Sequence, residues 1–178
     1  MSDFQRDDVW QRQMRDKYLL PFYRMHSFEG RFVLLDKGRM ATMLQRRLAV
    51  DTIAQSKGEI GKAVSVEEKI VRWPGYELTS FFLETQSCTV PGHESAGWMV
   101  YAESDYLAYG FAQEGEWIDL YWMPMQELKT WFWQHEAEFK LHVMRNTINK
   151  TAGRLVPIER VSEAIPSMKR FRLSGAML

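Results

Sequence analysis

The chain has little that would mark it for a special environment. Its 178 residues include a single cysteine, and 23 Lys and Arg are balanced by 23 Asp and Glu, so the formal net charge is zero. One thiol, Cys88, excludes an internal disulfide and points to a reducing cytoplasm. No apolar run approaches the ~18 residues that a membrane span needs. The opening stretch MSDFQRDD is too polar for a secretory signal, so a cytoplasmic protein with no membrane partner is expected. The histidines (His26, His93, His135 and His142) show neither His-x-His nor His-Glu-x-x-His spacing, and with one cysteine nothing points to zinc. Repeats, low-complexity tracts and Pro/Gly-rich linkers are also missing. One domain over residues 1–178 is therefore expected, and 46% apolar residues suffice for a core.

The zero net charge is not evenly spread. Residues 1–36 balance, whereas residues 37–72 hold eight basic and four acidic side chains, a surplus of +4. Residues 84–138 carry −9 and residues 139–178 carry +6. Two basic segments thus flank an acidic one, compatible with a basic face and an acidic back. The same pattern also arises if the segments interleave in space and cancel.

Trp10, Met14 and Tyr18, with Phe4, recur at helical spacing behind Asp3 as N-cap, and Pro21 is expected to close this first helix. A buried strand is expected at 31–36 (RFVLLD), with a turn at Lys37-Gly38 and a second helix at 40–47 (MATMLQRR). Two β-like runs follow, 48–55 (LAVDTIAQ) and 63–73 (AVSVEEKIVRW), joined by the hairpin connection SKGEIGK. A third strand is expected at 78–85 (LTSFFLET) after Trp73-Pro74-Gly75, then a loop over 86–97. Residues 105–111 and 117–122 read as a strand pair turned by Gln113-Glu114-Gly115-Glu116, and a helix is expected from 125 to about 142. A last strand, 153–161, and a turn at 162–165 lead into a basic tail, 167–178. The fold class is mixed α/β, an α+β protein with a mixed central sheet covered by helices.

Alternation along a strand puts Glu67 and Lys69 on one face, and Val66, Glu68 and Ile70 on the other. A hairpin centred on Glu59 places Asp51 opposite Glu67, since each is eight residues from the centre. Directly opposed like charges are normally avoided in sheets. A divalent cation between the two carboxylates would reconcile them, and Mg²⁺ takes one or two carboxylates plus water and phosphate oxygens. A lysine beside such an ion can orient the attacking water and offset charge on a scissile phosphate. Edge protection or a solvated strand face explains the same charges without chemistry.

The order Asp51, then Glu67-x-Lys69, in two adjacent strands resembles the signature of the PD-(D/E)XK, or restriction-endonuclease-like, nuclease superfamily. QRRLAVDTIAQ, a glycine-containing turn and VSVEEKIVRW are similar to bacterial and phage members in which a helix runs into a strand bearing Asp and a hairpin returns to (D/E)-(D/E)-K. Glu84 in FFLET, the pair Gly97-Trp98 and Asp105-Tyr106-Leu107 extend the similarity over about residues 40–112. The resemblance implies an αβββαβ core flanked by helices, and a metal-dependent nuclease hydrolysing DNA phosphodiester bonds with Mg²⁺ or Mn²⁺. Asp51 and Glu67 would be catalytic metal ligands and Lys69 the catalytic lysine, with Glu84 an added ligand or second acid. Gln45 and Glu68 would support them from behind. Arg46, Arg47, Lys62 and Arg72 are candidate phosphate contacts, and DNA is the expected partner of a homodimer that cuts both strands. Val50 stands where the motif has proline, and the 86–97 loop stands where the core has a helix. Members that have lost catalysis give the alternative, an inactive nuclease-fold module that binds nucleic acid or a protein.

Other patterns carry less. Gly58-Glu59-Ile60-Gly61-Lys62 lacks the spacing and the Ser/Thr of a phosphate loop. Cys88 near His93 has no orienting acid, and a half-buried structural thiol is the simpler reading. Trp131-Phe132-Trp133 cannot all be buried on one helix face, which leaves an oligomer contact or a base-stacking platform.

Overall fold

The computed structural model describes residues 3–35, 38–56, 62–72, 79–113, 116–144 and 150–174. The connections expected at Lys37, SKGEIGK, Trp73-Pro74-Gly75 and Glu114-Gly115 lie wholly or partly outside these residues, as do the side chain of Phe4 and the last four residues of the tail. The first helix runs further than expected. Helix α1 (Asp3–Met14) continues through a π-turn, Arg15–Leu19, into α2 (Leu20–His26). Pro21 does not end it, because it occupies the first turn of α2, where a missing N–H is tolerated. Strand β1 (Ser27–Leu34) therefore begins before residue 31.

Helix α3 (Arg39–Leu48) ends at Ala49, whose left-handed backbone (φ 49°) turns the chain into β2 (Thr52–Ser56). Leu48 is thus helical rather than the start of a strand. Next come β3 (Ala63–Arg72) and β4 (Ser80–Cys88). The 86–97 loop contains the end of β4 and the two-residue β5 (Ser95–Ala96), and α4 (Trp98–Tyr101) follows it. The hairpin β6 (Tyr106–Gln113) and β7 (Trp117–Pro124) matches expectation, and Pro124 leads into α5 (Met125–His135).

Three expectations are corrected in the last third. Helix α5 stops at His135, and β8 (Leu141–Val143) takes the residues that were expected to extend it. The strand expected at 153–161 is β9 (Ala152–Pro157), which ends at Pro157, and α6 (Ile158–Ala164) follows it. The basic tail contains β10 (Lys169–Ser174).

The strands form a mixed six-stranded sheet, β1-β2-β3-β6-β7-β10, and a four-stranded sheet, β5-β4-β9-β8. Among the described residues only β3 and β6 pair in parallel, which requires the long crossover that carries β4, β5 and α4. The fold is thus mixed α+β, with two sheets where one was expected. Helices α1 and α2 cover one face of the larger sheet, packing Trp10, Met14, Tyr18 and Phe22 on Val66, Ile70, Ala108 and Leu120. The other face carries Leu107, Tyr109, Phe111, Tyr121 and Met123, buried under Phe81, Leu83, Val156 and the α5 residues Leu128 and Phe132. Trp133 remains on the outside of α5. Among the described residues no helix is long and apolar enough to cross a membrane.

Candidate metal and nuclease site

The register of β2 on β3 pairs Thr52 with Val66 and Gln55 with Ala63, so continuing it sets position 51 against position 67. Asp51 itself leaves the ladder. Its N–H donates to the Val66 carbonyl (2.8 Å), and its own carbonyl accepts from Leu35 N–H (2.8 Å). Its carboxylate accepts from the Glu68 N–H (2.9 Å) and from Gln45 Nε2 (3.2 Å). Gln45 therefore acts from the last turns of α3 and steadies Asp51, as the helix-borne partner expected of it.

Strand parity holds. Glu67 and Lys69 share the face that also carries Leu107 and Tyr109 of β6, their register partners. Glu67 is 3% exposed, and Lys69 Nζ reaches its Oε1 at 2.5 Å. Burial pushes the Glu67 carboxyl up to about 8 against the pull of Lys69, and Asp51 adds to the rise. The Asp51 carboxylate thus adjoins Glu67 and disfavours its charged form. Burial disfavours the Lys69 ammonium, but Glu67 and Asp51 outweigh it and raise its pKa above the ordinary value. The ammonium also sits over the Trp98 ring, 5.7 Å from its centroid.

Glu68 points to the other side of the sheet. Its Oε1 accepts from Thr52 Oγ1 (2.6 Å) and Tyr23 Oη (2.8 Å). Burial and the neighbouring Asp51 push its carboxyl up to about 7. With Gln11, Arg12, Arg15, Gln45 and Asp51 it lines a polar recess of about 230 Å³ behind the site.

Glu84 lies on the Lys69 side. Burial raises its carboxyl, while Lys69 and a hydrogen bond from the Trp98 N–H pull it down. A bulge between Glu84 and Gln86 aims this stretch, and Gly97 makes it fit: a Cβ there would stand 2.4 Å from the Glu84 carbonyl oxygen. Among the described residues no three His, Cys, Asp or Glu side chains gather in a group that could hold a metal ion.

The expected phosphate contacts divide. Arg46 and Arg47 are exposed in the last turn of α3, which leads into Asp51. Lys62 precedes β3, at the far end of the hairpin. Arg72 is five residues beyond Glu67 on the opposite face, its guanidinium 4.6 Å from the Trp10 ring. Neither Lys62 nor Arg72 is brought to the acids.

Sequence reasoning missed several groups. Ser65 takes Asp105 Oδ2 through its N–H (2.7 Å) and hydroxyl (2.8 Å), tying β3 to the start of β6 below the site. Trp98 orients both Glu84 and Lys69. Only the Gly97-Trp98 pair offered a signal for this, and it did not reveal which strand those residues would meet.

No family model, no curated protein and no solved structure matches the chain.

Proposed function

We propose that the chain is a Mg²⁺- or Mn²⁺-dependent nuclease of the restriction-endonuclease-like type, hydrolysing DNA phosphodiester bonds in the cytoplasm as a homodimer. The observation that carries this reading is geometric: the β2–β3 register sets Asp51 against buried Glu67, with Lys69 Nζ against the Glu67 carboxylate. Two carboxylates set against one another form a natural seat for a cation. The helix running into Asp51 and the adjacent strand bearing Glu67-Glu68-Lys69 support this reading.

Asp51 and Glu67 would hold the cation, and Glu84 would act beyond them as an acid near Lys69. When bound, the ion would lower the pKa of a water and offset charge on the scissile phosphate. Lys69 remains protonated at neutral pH, so its ammonium is available to orient the nucleophile and to stabilise charge developing on phosphate oxygens. Gln45 and the Glu68 N–H fix the Asp51 carboxylate in one orientation. Exposed Arg46 and Arg47 offer contacts to the DNA backbone beside it. Cys88, reduced, suits the cytoplasm.

Calorimetric titration of Mg²⁺ and Mn²⁺ into the wild-type chain and Asp51→Ala, beside a plasmid-nicking assay, tests the proposal. Binding and nicking that both vanish in the variant are expected. Salt-sensitive DNA binding with no metal dependence and no cleavage would assign the chain to the inactive-module alternative.

A further inference from the structure

A second cavity lies away from the acids. It measures about 480 Å³, within the roughly 300–1,000 Å³ of small-molecule sites, and lies at the β7–β10 end of the larger sheet. The register runs Lys69–Tyr109–Tyr121–Arg170 across four strands, so the cavity and the candidate metal site share one sheet face. Strand β4 separates them, with Thr79, just before it, at the cavity and Glu84 beside Lys69.

Asp119 forms the cavity's polar floor. Its side chain is 3% exposed, and it accepts from Arg172 Nε (2.8 Å) and Nη2 (2.6 Å) in a two-pronged fork. Arg170 Nη2 donates to the same Oδ2 at 2.9 Å. One fork already satisfies a buried carboxylate, so a second guanidinium is not needed to balance the charge. It brings two like charges together and leaves the cluster with a surplus of +1. Each guanidinium is also laid on a ring: Arg172 lies 4.4 Å from the Trp117 centroid and Arg170 lies 5.6 Å from that of Tyr121. Both arginines are more than half exposed, so their remaining donors stay within reach of a ligand. Glu159 is the other charged lining residue, and its carboxylate can accept N–H donors.

We propose that this cavity binds a nucleotide unit, with its phosphate on the Arg170 and Arg172 donors, its base against the outer plane of the Arg172–Trp117 stack, and base N–H groups facing Glu159. Arginine planes stack on bases, and paired guanidiniums take phosphate oxygens through two N–H groups. Asp119 and the aromatic rings hold both forks in position before a ligand arrives, which lowers the ordering cost of binding. The chemistry is shared by a free mononucleotide and by the phosphorylated end of a strand.

The test uses the full chain in EDTA, which separates this site from any metal-dependent one. Calorimetry is run with the four nucleoside monophosphates, adenosine, inorganic phosphate, and a tetranucleotide with and without a 5′-phosphate. At least one monophosphate or the phosphorylated tetranucleotide is expected to bind about tenfold or more tighter than its phosphate-free counterpart. Preference for the tetranucleotide identifies a strand end, and preference for the monophosphate a free nucleotide. Arg170→Gln, which removes a single hydrogen bond to Asp119, should weaken binding by about tenfold while keeping the circular-dichroism spectrum and melting curve. Lys69→Ala should bind as the wild type does. Absence of binding by every phosphorylated probe, unchanged affinity in a folded Arg170→Gln, or loss of binding in Lys69→Ala would each overturn the proposal.

Discussion

Lys69 Nζ and Glu67 Oε1 stand 2.5 Å apart on one face of β3, the lysine one-third exposed and the glutamate buried. The lysine is the main counter-charge for a carboxylate that burial drives toward its neutral form. Lys69→Ala removes the pull toward the charged form, so Glu67 stays neutral at neutral pH and the fold should survive, while nuclease activity should not. Nicking of supercoiled plasmid should fall by about 100-fold or more, the scale on which a single positioned electrostatic group contributes. Full activity in a folded Lys69→Ala would falsify the assigned role.

Glu67 and Glu68, pushed up to about 8 and about 7 from 4.5, make the metal-free protein sensitive to alkali. A carboxyl whose folded pKa is raised binds its proton more tightly in the folded state. Its contribution is complete below the unfolded value and is lost as pH rises through the folded one. The melting temperature without metal should thus decline from about pH 5 to about pH 8, and Glu67→Gln should flatten much of that slope. Mg²⁺ held by Asp51 and Glu67 would require Glu67 in its ionised form, whose carboxyl is raised to about 8. Calorimetry at neutral pH in two buffers of different ionisation enthalpy should therefore show proton release on binding.

Glu68 carries a separate expectation because it faces the helices. Its hydrogen bonds from Tyr23 and Thr52 bind α2 and β2 to β3. Tyr23→Phe removes one buried hydrogen bond to a carboxyl and should cost about 1–3 kcal/mol by urea denaturation. Nicking per folded molecule should be unchanged. A drop in activity without a drop in stability would move Glu68 from support to chemistry.

How far the sequence reached is visible at these same residues. Alternation separated Glu67 and Lys69 from Glu68, and hairpin symmetry set Asp51 against Glu67; both depend on local geometry alone. The mixed α+β class and the β6–β7 hairpin were legible for the same reason. What failed depends on contacts between distant segments. Residues 169–174 look like a basic tail, yet each pairs with β7 through the run Lys169–Trp122 to Ser174–Trp117. The two-arginine cluster exists only through that pairing, although an acid within WIDLYW and the alternation Arg170-x-Arg172 were its traces. Pro21 looked like a stop because the π-turn that moves it into a helix start has no periodic signal. The recess behind Asp51 likewise needs α1 beside β3, which no local pattern gives.

Gly97 is held at a closer approach than any side chain allows, 2.4 Å from a built Cβ to the Glu84 carbonyl oxygen and 2.8 Å to the Gln86 nitrogen. Gly97→Ala must push α4 away from the β4 bulge, and with it the Trp98 N–H that holds Glu84 and the ring that lies by Lys69. The expected result is a drop of about 1–3 kcal/mol in stability together with weaker nicking, since overpacking here strains backbone rather than a pliable side chain. Glu84→Gln separates the two effects, because it keeps the backbone fit and alters only the acid. Activity close to wild type in Glu84→Gln would leave Trp98 and Lys69 as the groups through which Gly97 acts.

Asp119 gives the opposite pH signature from Glu67. Burial opposes its charge, yet the Arg172 and Arg170 hydrogen bonds outweigh burial and hold the carboxyl below its ordinary 3.8. A carboxyl with a lowered folded pKa contributes stability above its unfolded value and loses it as pH falls through the folded one. The edge strand β10 should therefore loosen in acid. Asp119→Asn keeps the shape but gives up the charge, so its penalty should be present at pH 7 and shrink toward about pH 2. Both guanidiniums are more than half exposed, which screens the pair and limits the neutral-pH cost to about 1–3 kcal/mol. Denaturation at the two pH values measures the difference, and hydrogen exchange over residues 169–174 locates it. Equal destabilisation by Asp119→Asn at both pH values would mean that shape, and not charge, joins β10 to β7.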